Sequence, residues 1–313
     1  MTVLENKKLS CGVCGQPVDE LPVQSSNGYD LYHCRSCDVV FSHPMKNPGA
    51  AWYEQFQVGH IVGASGTIAW DHKVFLNDTT IVPGTLLDVG CGDGSFIARA
   101  QTRGFQVTGI DFDSNALAVA EAKFGLKSLF CGGLTDFKNA FPHRKFDAIT
   151  FFGVLEHLDD PSELLCNARQ MLNPAGHIVF TVPFRDRRPN FAFKEWWDQP
   201  PFHLTRWSEL AVRNVLSHNG FSLIKLVKGR SQDDDVVDWL RGRILKRGIV
   251  SKMVHHAQAD QNEGHRHSLM RRAVLLAKLS GLGYKALAPA ANLALFLIRA
   301  TGKSMYVNAK IAT

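Results

Sequence analysis

The sequence predicts an α/β protein built on a doubly wound, mostly parallel sheet, and three features carry that prediction. From Thr85 onward, short apolar runs rich in β-branched residues alternate with stretches of helical period. Each helical stretch is closed by a turn signal: Arg103-Gly104, Gly125, Asn173-Pro174 or Asn219-Gly220. The first strand of the series runs directly into a glycine-rich junction, LLDVGCGDG, at residues 86–94. Strands joined by helices of this length pair in parallel and bury both faces of the sheet, and their ligands bind beyond the carboxyl ends of the strands.

TLLDVG, QVTGID, FDAITFF, GHIVFTV and FSLIKLV read as strands, and the closing KSMYVNAKIA has strand character. GSFIARAQTRG, SNALAVAEAKFG, PSELLCNARQML and WSELAVRNVLSHNG supply helices. At the first junction Gly90, Gly92 and Gly94 permit close backbone approach, while Asp88 and Asp93 bring carboxylates to the same edge. A dinucleotide fingerprint would place its third glycine where Ser95 stands, and an acidic loop is a poor cradle for a pyrophosphate. The ligand is therefore expected to be neutral or positive at this point. Asp111 closes the next strand and can accept hydrogen bonds from both hydroxyls of a ribose.

On these residues the chain resembles the class I S-adenosylmethionine-dependent methyltransferases, over roughly residues 80–230 and again at the final strand. The resemblance implies a Rossmann-like sheet of seven strands, with KSMYVNAKIA as its antiparallel last strand and S-adenosylmethionine as cofactor. It implies that Asp88, Gly90, Cys91, Gly92 and Gly94 line the methionine half, and that Asp111, followed by Phe112, holds the ribose. FCGGLTDF, residues 130–137, would border the adenine. Leu134 stands where many relatives carry Asp, which leaves main-chain groups or Asp136 for the adenine amino group. FDAITFFGVLEHLDDP, residues 146–161, closely matches the fourth strand and following turn of many small-molecule methyltransferases, with Phe152 at the cofactor.

Near the start, Cys11 and Cys14 are separated from Cys34 and Cys37 by nineteen residues, the spacing of two knuckles closing on one zinc ion. Four thiolates complete a tetrahedral shell and leave no open position, so such a zinc is structural and performs no hydrolysis. Asn27-Gly28 between the pairs reads as a hairpin turn, and His33 and His43 are spare ligands. The paired cysteines followed by VVFSHPMKNPGAAWYEQF resemble the zinc-ribbon leader of a group of bacterial methyltransferases, some of which act on nucleotide-linked deoxysugars or other secondary metabolites. The expected organisation is a zinc ribbon at 1–45, a helical linker or cap at 46–84, a core at 85–230, a helical basic insertion at 231–302 and a last core strand at 303–313.

Methyl transfer is an in-line displacement, so the protein must align donor and acceptor and exclude water. A hydroxyl or acidic-carbon acceptor also needs a base, and histidine serves near neutral pH. Glu156 and His157 follow the fourth strand, and His203 lies in PPFHLTRW after the fifth. These three are the catalytic candidates; the alternative is that they order the neighbouring loops. Quinone-biosynthesis O-methyltransferases, which the LEH segment resembles, often carry a Glu where Gly153 stands, which weighs against a catalytic metal. Phe191, Phe193, Trp196 and Trp197, interleaved with Arg185, Arg187 and Arg188, suit an aromatic and basic lid, or core packing. Cys91, Cys131 and Cys166 read as small core residues.

The net charge of +6 is unevenly spread: from Arg241 onward 13 Lys or Arg face only Asp260 and Glu263, leaving 22 basic and 27 acidic residues before it. HHAQADQNEGHRH reads as a polar loop. The uncharged run 286–298 is thirteen residues, too short to span a bilayer, but residues 269–300 with their flanking bases could lie on an anionic membrane surface, pack as a lid, or form a dimer contact. With no signal peptide or spanning run, the expected location is cytoplasmic, with a peripheral contact at the inner membrane face as an option. The expected function is methylation of an O, N or C atom of a small metabolite, a sugar or secondary-metabolite intermediate among the candidates. Two alternatives stand beside it. An RNA methyltransferase would grip phosphates with ribbon and tail, although FFGVLEH lacks the Asn/Asp-Pro-Pro-aromatic motif of base amino methylation. A non-catalytic cofactor-binding module would keep the fold without turnover.

Overall fold

The computed structural model describes residues 9–49, 68–186, 198–230 and 301–312. Apart from Asp186, Arg230 and residues 301–303, these form one compact unit. Its centre is a seven-stranded sheet. Strands β4 (Thr85–Val89), β5 (Gln106–Asp111), β6 (Leu129–Cys131), β7 (Phe146–Phe152), β8 (Leu172–Pro183), β10 (Phe221–Arg230) and β11 (Thr301–Ile311) are arranged in the order β10-β11-β8-β7-β4-β5-β6. The pairs β4·β5, β4·β7, β5·β6 and β7·β8 are parallel, and β11 runs antiparallel to β8 with Ser304 opposite Pro183 and Lys310 opposite His177. The order reverses at β4, and this is where such sheets open a crevice at their carboxyl edge.

Alternation along each strand sends side chains to opposite faces. Ile178, Phe180 and Val182 of β8 and Met305, Val307 and Ala309 of β11 join one apolar cluster with helices α4 (Leu134–Ala140), α5 (Pro161–Met171) and α6 (Glu209–His218). Val179 and Tyr306 join the other cluster with α1 (Trp70–Leu76), α2 (Ser95–Thr102) and α3 (Ser114–Phe124). Helices therefore cover both faces, as a doubly wound sheet requires. The helix starts follow local chemistry: Asp113 caps α3 by accepting from the Asn115 and Ala116 amides, Asp160 caps α5 with Pro161 in its first turn, and Ser208 caps α6.

A second sheet holds the cysteine-rich segment, with β1 (Gln24–Ser26), β2 (Tyr29–His33) and β3 (Val40–His43) in a meander. Asn27 and Gly28 both have positive φ, 54° and 79°, the conformation the hairpin reading of that dipeptide requires. The fourth strand, β9 (Thr205–Arg206), comes from the chain beyond β8, pairing Thr205 with Phe41 and Arg206 with Val40. Ribbon and core also share an apolar cluster: Cys11, Val13, Cys34, Cys37, Val39 and Phe41 pack in the same group as Phe151, Phe180 and Trp207.

Several expectations change. Cys131 and Cys166 are exposed, not core residues; only Cys91 of that trio is buried. Asn173-Pro174 does not separate helix from strand, because β8 begins at Leu172 and these residues fall in an irregular stretch between the pairings Leu172 with Phe146 and His177 with Ala148. Residues 134–140 form a helix where the sequence reading had only an adenine border. Of the expected insertion at 231–302, residues 231–300, including the stretch 269–300 considered for a membrane surface, a lid or a dimer contact, lie outside the described residues, whereas Thr301 and Gly302 already belong to β11. Among the described residues, no helix is long and apolar enough to cross a membrane.

Candidate active site and metal centre

The junction after β4 is shaped by its glycines. Gly90, Gly92 and Gly94 all have positive φ, 77°, 53° and 73°, which favours glycine over any side chain. A Cβ at Gly94 would also lie 2.6 Å from Leu126 and 2.7 Å from Ala120, so this glycine lets α2 pack closely on α3. Asp111, at the end of β5, accepts from the Gly92 amide at 2.8 Å and from its own neighbour Asp113 at 2.9 Å. It thereby ties the two adjacent strand ends together at the crevice. Asp88 is buried and accepts from the Thr150 hydroxyl at 2.6 Å. Burial, opposed by that hydrogen bond, pushes its carboxyl up to about 8.

The other proposed cofactor residues fall around this edge in different ways. Phe112 is 68% exposed, and its ring tip would meet any Cβ placed on Gly133 at 2.9 Å. Leu134 is buried in the first turn of α4, and Asp136 accepts from the Gly133 amide at 3.0 Å. The Cys91 thiol is buried, which raises its pKa and leaves it inert, while its amide donates to Ile110. The Phe152 ring stacks edge-on against His72 and Phe96, each 4.9 Å away.

A helix at Trp70–Leu76 falls within the helical linker or cap expected at 46–84, but sequence reasoning missed Asp71, which α1 brings to the same region. Asp71 accepts from Thr181 Oγ1 at 3.2 Å, and Thr181 in turn accepts from the Gly153 amide at 3.0 Å. Its charge helps raise the pKa of both Asp88 and Glu156, so it stands near both carboxyls. No motif marks it; only the docking of α1 reveals it.

Glu156, His157 and His203 do come together: one ligand atom from each lies within 4.8 Å of the others. Leu155–His157 form a 3-10 turn directly after β7. The Leu204 amide donates to the Glu156 carbonyl at 2.6 Å, which fastens the His203 stretch to that turn. The two imidazoles meet edge to face at 5.0 Å and take different partners. His157 Nδ1 lies 2.5 Å from the Phe202 carbonyl, which can only accept, so Nδ1 carries the proton. Burial, reinforced by His203, drives its pKa down to about 3 and keeps the ring neutral. His203 Nδ1 faces the Asp198 carboxylate at 3.0 Å, a partner absent from the sequence reading. With Nδ1 on Asp198, the ring orientation of His203 is fixed by a carboxylate, whereas that of His157 is fixed by a main-chain carbonyl. A mixed histidine and carboxylate set is also one that a divalent cation would accept. Arg185, grouped in sequence with an acceptor lid, instead pairs with Asp38 of the ribbon at 3.0 Å. Its lid companions at 187–188 and 191–197 lie outside the described residues.

Glu156 is fully buried, and its Oε2 has no hydrogen-bond partner among the described residues. Burial pushes its pKa up to about 7, against the pull of His203. A carboxyl that binds its proton more tightly when folded stabilises the fold below the unfolded value of about 4.5 and loses that contribution as pH rises through 7. Glu156→Gln should therefore gain roughly 3 kcal/mol on the wild type between pH 4.5 and 8. Urea denaturation of both proteins across that range measures it, and parallel curves would refute the assignment.

The four cysteines form the second candidate centre. Cys11 and Cys37 sulfurs are 3.7 Å apart, Cys14 and Cys34 sulfurs 3.6 Å, and all four lie within 4.8 Å of one another. Tetrahedral zinc with Zn–S bonds of about 2.3 Å requires sulfurs roughly 3.8 Å apart, so the set fits the ion. His33, a spare ligand in the sequence reading, is engaged by Asp38 at 2.7 Å instead.

Comparison with known proteins agrees with this architecture. Curated relatives include a ubiquinone biosynthesis O-methyltransferase of Alkalilimnicola ehrlichii, 33% identical over 104 residues, covering 31% of this chain and 40% of that protein. The enzyme of the same name from Proteus mirabilis is 28% identical over 109 residues, covering 34% and 44%. The chain thus spans about two fifths of the length of these relatives. Among solved structures, the [4+2]-cyclase SpnF superimposes with a TM-score of 0.53 at 16% identity, covering 84% of this chain and 94% of that one, a likeness of fold alone. The family described as methyltransferase domain matches residues 70–226, half of the 313-residue chain. With its seven-stranded sheet, its glycine junction and that match, the chain belongs to the methyltransferase domain family.

Proposed function

We propose that this protein is an S-adenosylmethionine-dependent methyltransferase acting on an oxygen of a small metabolite, with a structural zinc held by Cys11, Cys14, Cys34 and Cys37. The observation that carries the reading is the meeting of His203, backed by Asp198, with Glu156 and His157 at the strand edge that also bears the glycine junction. The curated relatives, named as O-methyltransferases, support oxygen as the acceptor atom.

Asp88 and the loop at Gly90, Cys91, Gly92 and Gly94 would hold the amino-acid half of the cofactor, and Asp111 its ribose hydroxyls. Phe112 and the Gly133–Leu134 turn would flank the adenine. When bound, the cofactor supplies an electrophilic methyl carbon. His203 Nε2 takes the acceptor hydroxyl proton, and Asp198 steadies the imidazolium through Nδ1–H. His157, neutral and fixed on the Phe202 carbonyl, orients the stretch that carries His203. The division into a ribbon at 1–45, a linker at 46–84, a core at 85–230, an insertion at 231–302 and a closing strand is part of the same proposal.

The test supplies labelled S-adenosylmethionine to extract separated into RNA, lipid and small-molecule pools. Label is expected in the small-molecule pool, and His203→Ala should lower its transfer on the order of 100-fold while binding S-adenosylhomocysteine unchanged. Label confined to RNA, or none at all, would overturn the reading.

A further inference from the structure

Resting on that functional reading, we propose that Asp38 is a positioning residue that couples the cysteine ribbon to His203. Asp38 lies between Cys37 and Val39, in the left-handed conformation at φ 64°. Its amide donates to the Cys34 carbonyl at 2.7 Å, so it belongs to the second knuckle. Its carboxylate gathers three groups: His33 Nε2 at 2.7 Å, Arg185 Nη2 at 3.0 Å and the Ser208 hydroxyl. Its carbonyl accepts a second bond from Arg185, Nη1 at 2.7 Å. Two points of the core are thereby gripped by one ribbon residue. Arg185 leaves β8, and Ser208 caps α6.

Between these points runs the chain that carries Asp198 and His203. Its ends are closed on each other, because the Arg185 amide donates to the Trp207 carbonyl at 2.7 Å. The ribbon touches the described part of this stretch repeatedly. Gln24 donates to Gln199 at 3.0 Å, Asn27 to the Pro200 carbonyl at 3.1 Å, and the Ser42 amide to the Leu204 carbonyl at 2.8 Å. β3 pairs with β9 immediately beyond. On its other side the stretch reaches the LEH turn through Leu204 and Phe202. His203 thus stands on a strip pinned between ribbon and core, and Asp38 sets the spacing of the two.

An ionic clamp with several partners outweighs a single surface pair, because it is sheltered and bidentate toward Arg185. Displacing a base by about 1 Å costs up to a hundredfold in rate. Asn also tolerates the left-handed region, so Asp38→Asn removes the charge without forcing the backbone.

The experiment uses the full zinc-loaded chain, with Asp38→Asn and, as a variant outside the knuckle, Arg185→Gln. Each is made in the wild-type and His203→Ala backgrounds. Zinc content and affinity for S-adenosylhomocysteine are expected to hold within about twofold, while maximal methyl transfer across a dilution series of the active small-molecule pool falls on the order of 10- to 100-fold. In the His203→Ala background the same substitutions should cost less than about twofold, the non-additivity of residues acting through one group. Amide exchange at Leu204 and Thr205 should quicken while Leu87 and Val89 stay protected. Equal losses in both backgrounds would mark Asp38 as merely structural and overturn the proposal, as would an unchanged rate. Should the wild type transfer no label to small molecules, the functional reading fails by itself, and unchanged exchange at Leu204 and Thr205 would then sink the clamp separately.

Discussion

Replacing Cys37 with serine is expected to cost at least about 3 kcal/mol, a drop in melting temperature of about 5 °C or more. Cys37 is 3% exposed and its sulfur is 3.7 Å from that of Cys11, so a hydroxyl there would lose the fourth soft ligand of the proposed zinc. Zinc-binding peptides gain roughly 10 kcal/mol or more from such an ion, and part of that free energy holds the ribbon strands in register. The damage would not stop at the ribbon, since β3 holds β9 and the ribbon interior packs with Phe151, Phe180 and Trp207. Calorimetry with parallel zinc analysis measures the effect. Cys166→Ser serves as control, because Cys166 is exposed and its loss should change stability by less than about 0.5 kcal/mol. A Cys37→Ser protein that keeps both zinc and melting temperature would rule out the four-cysteine centre.

The second large effect concerns Asp111. Asp111→Ala should weaken S-adenosylhomocysteine binding on the order of 100-fold, because each hydrogen bond to a charged group contributes about 1.5–3 kcal/mol and a ribose offers two. The loss has a second source within the protein. Asp111 accepts from Gly92 and Asp113, so its removal also frees the loop that would carry the cofactor's amino-acid half. Asp136→Ala is the matched comparison: its described bond is to the Gly133 amide, and a drop below about tenfold is expected. Isothermal calorimetry on both variants decides it. Wild-type affinity in Asp111→Ala would mean that this crevice does not hold the nucleoside.

The geometry of the proposed site was legible in advance where short stretches of sequence set it. Positive φ at Gly90, Gly92 and Gly94 is a local backbone demand, and the paired cysteines declare their geometry by spacing alone. Asp111 was readable because it ends a strand whose neighbour was already identified. The residues that went unread share one property: their role arises only when distant segments meet. Asp198 matters because His203 turns toward it, Asp71 because α1 docks over the strand ends, and Asp38 because Arg185 and Ser208 arrive from opposite sides. The two-residue strand β9 and the seven-residue helix α4 are too short to impose a period. Cys131 and Cys166 misled for the opposite reason, since apolar neighbours in sequence do not fix which side of an element faces water.

The place of β11 has a consequence for how the chain reaches this state. β11 occupies the gap between β8 and β10, with Ser304 opposite Pro183, so a central strand of the sheet is supplied more than a hundred residues after the neighbour it covers. Until residues 304–310 exist, β8 has an uncovered edge, and its inner side carries Ile178, Phe180 and Val182. Pairings of such long reach form slowly, and an apolar strand left open meanwhile is a template for pairing with other chains. Synthesis therefore passes through a period in which the β4-β5-β6 half of the sheet can be complete while β8 remains available to the wrong partner. The hazard ends only when Tyr306 and Asn308 reach Asp78 and close the gap.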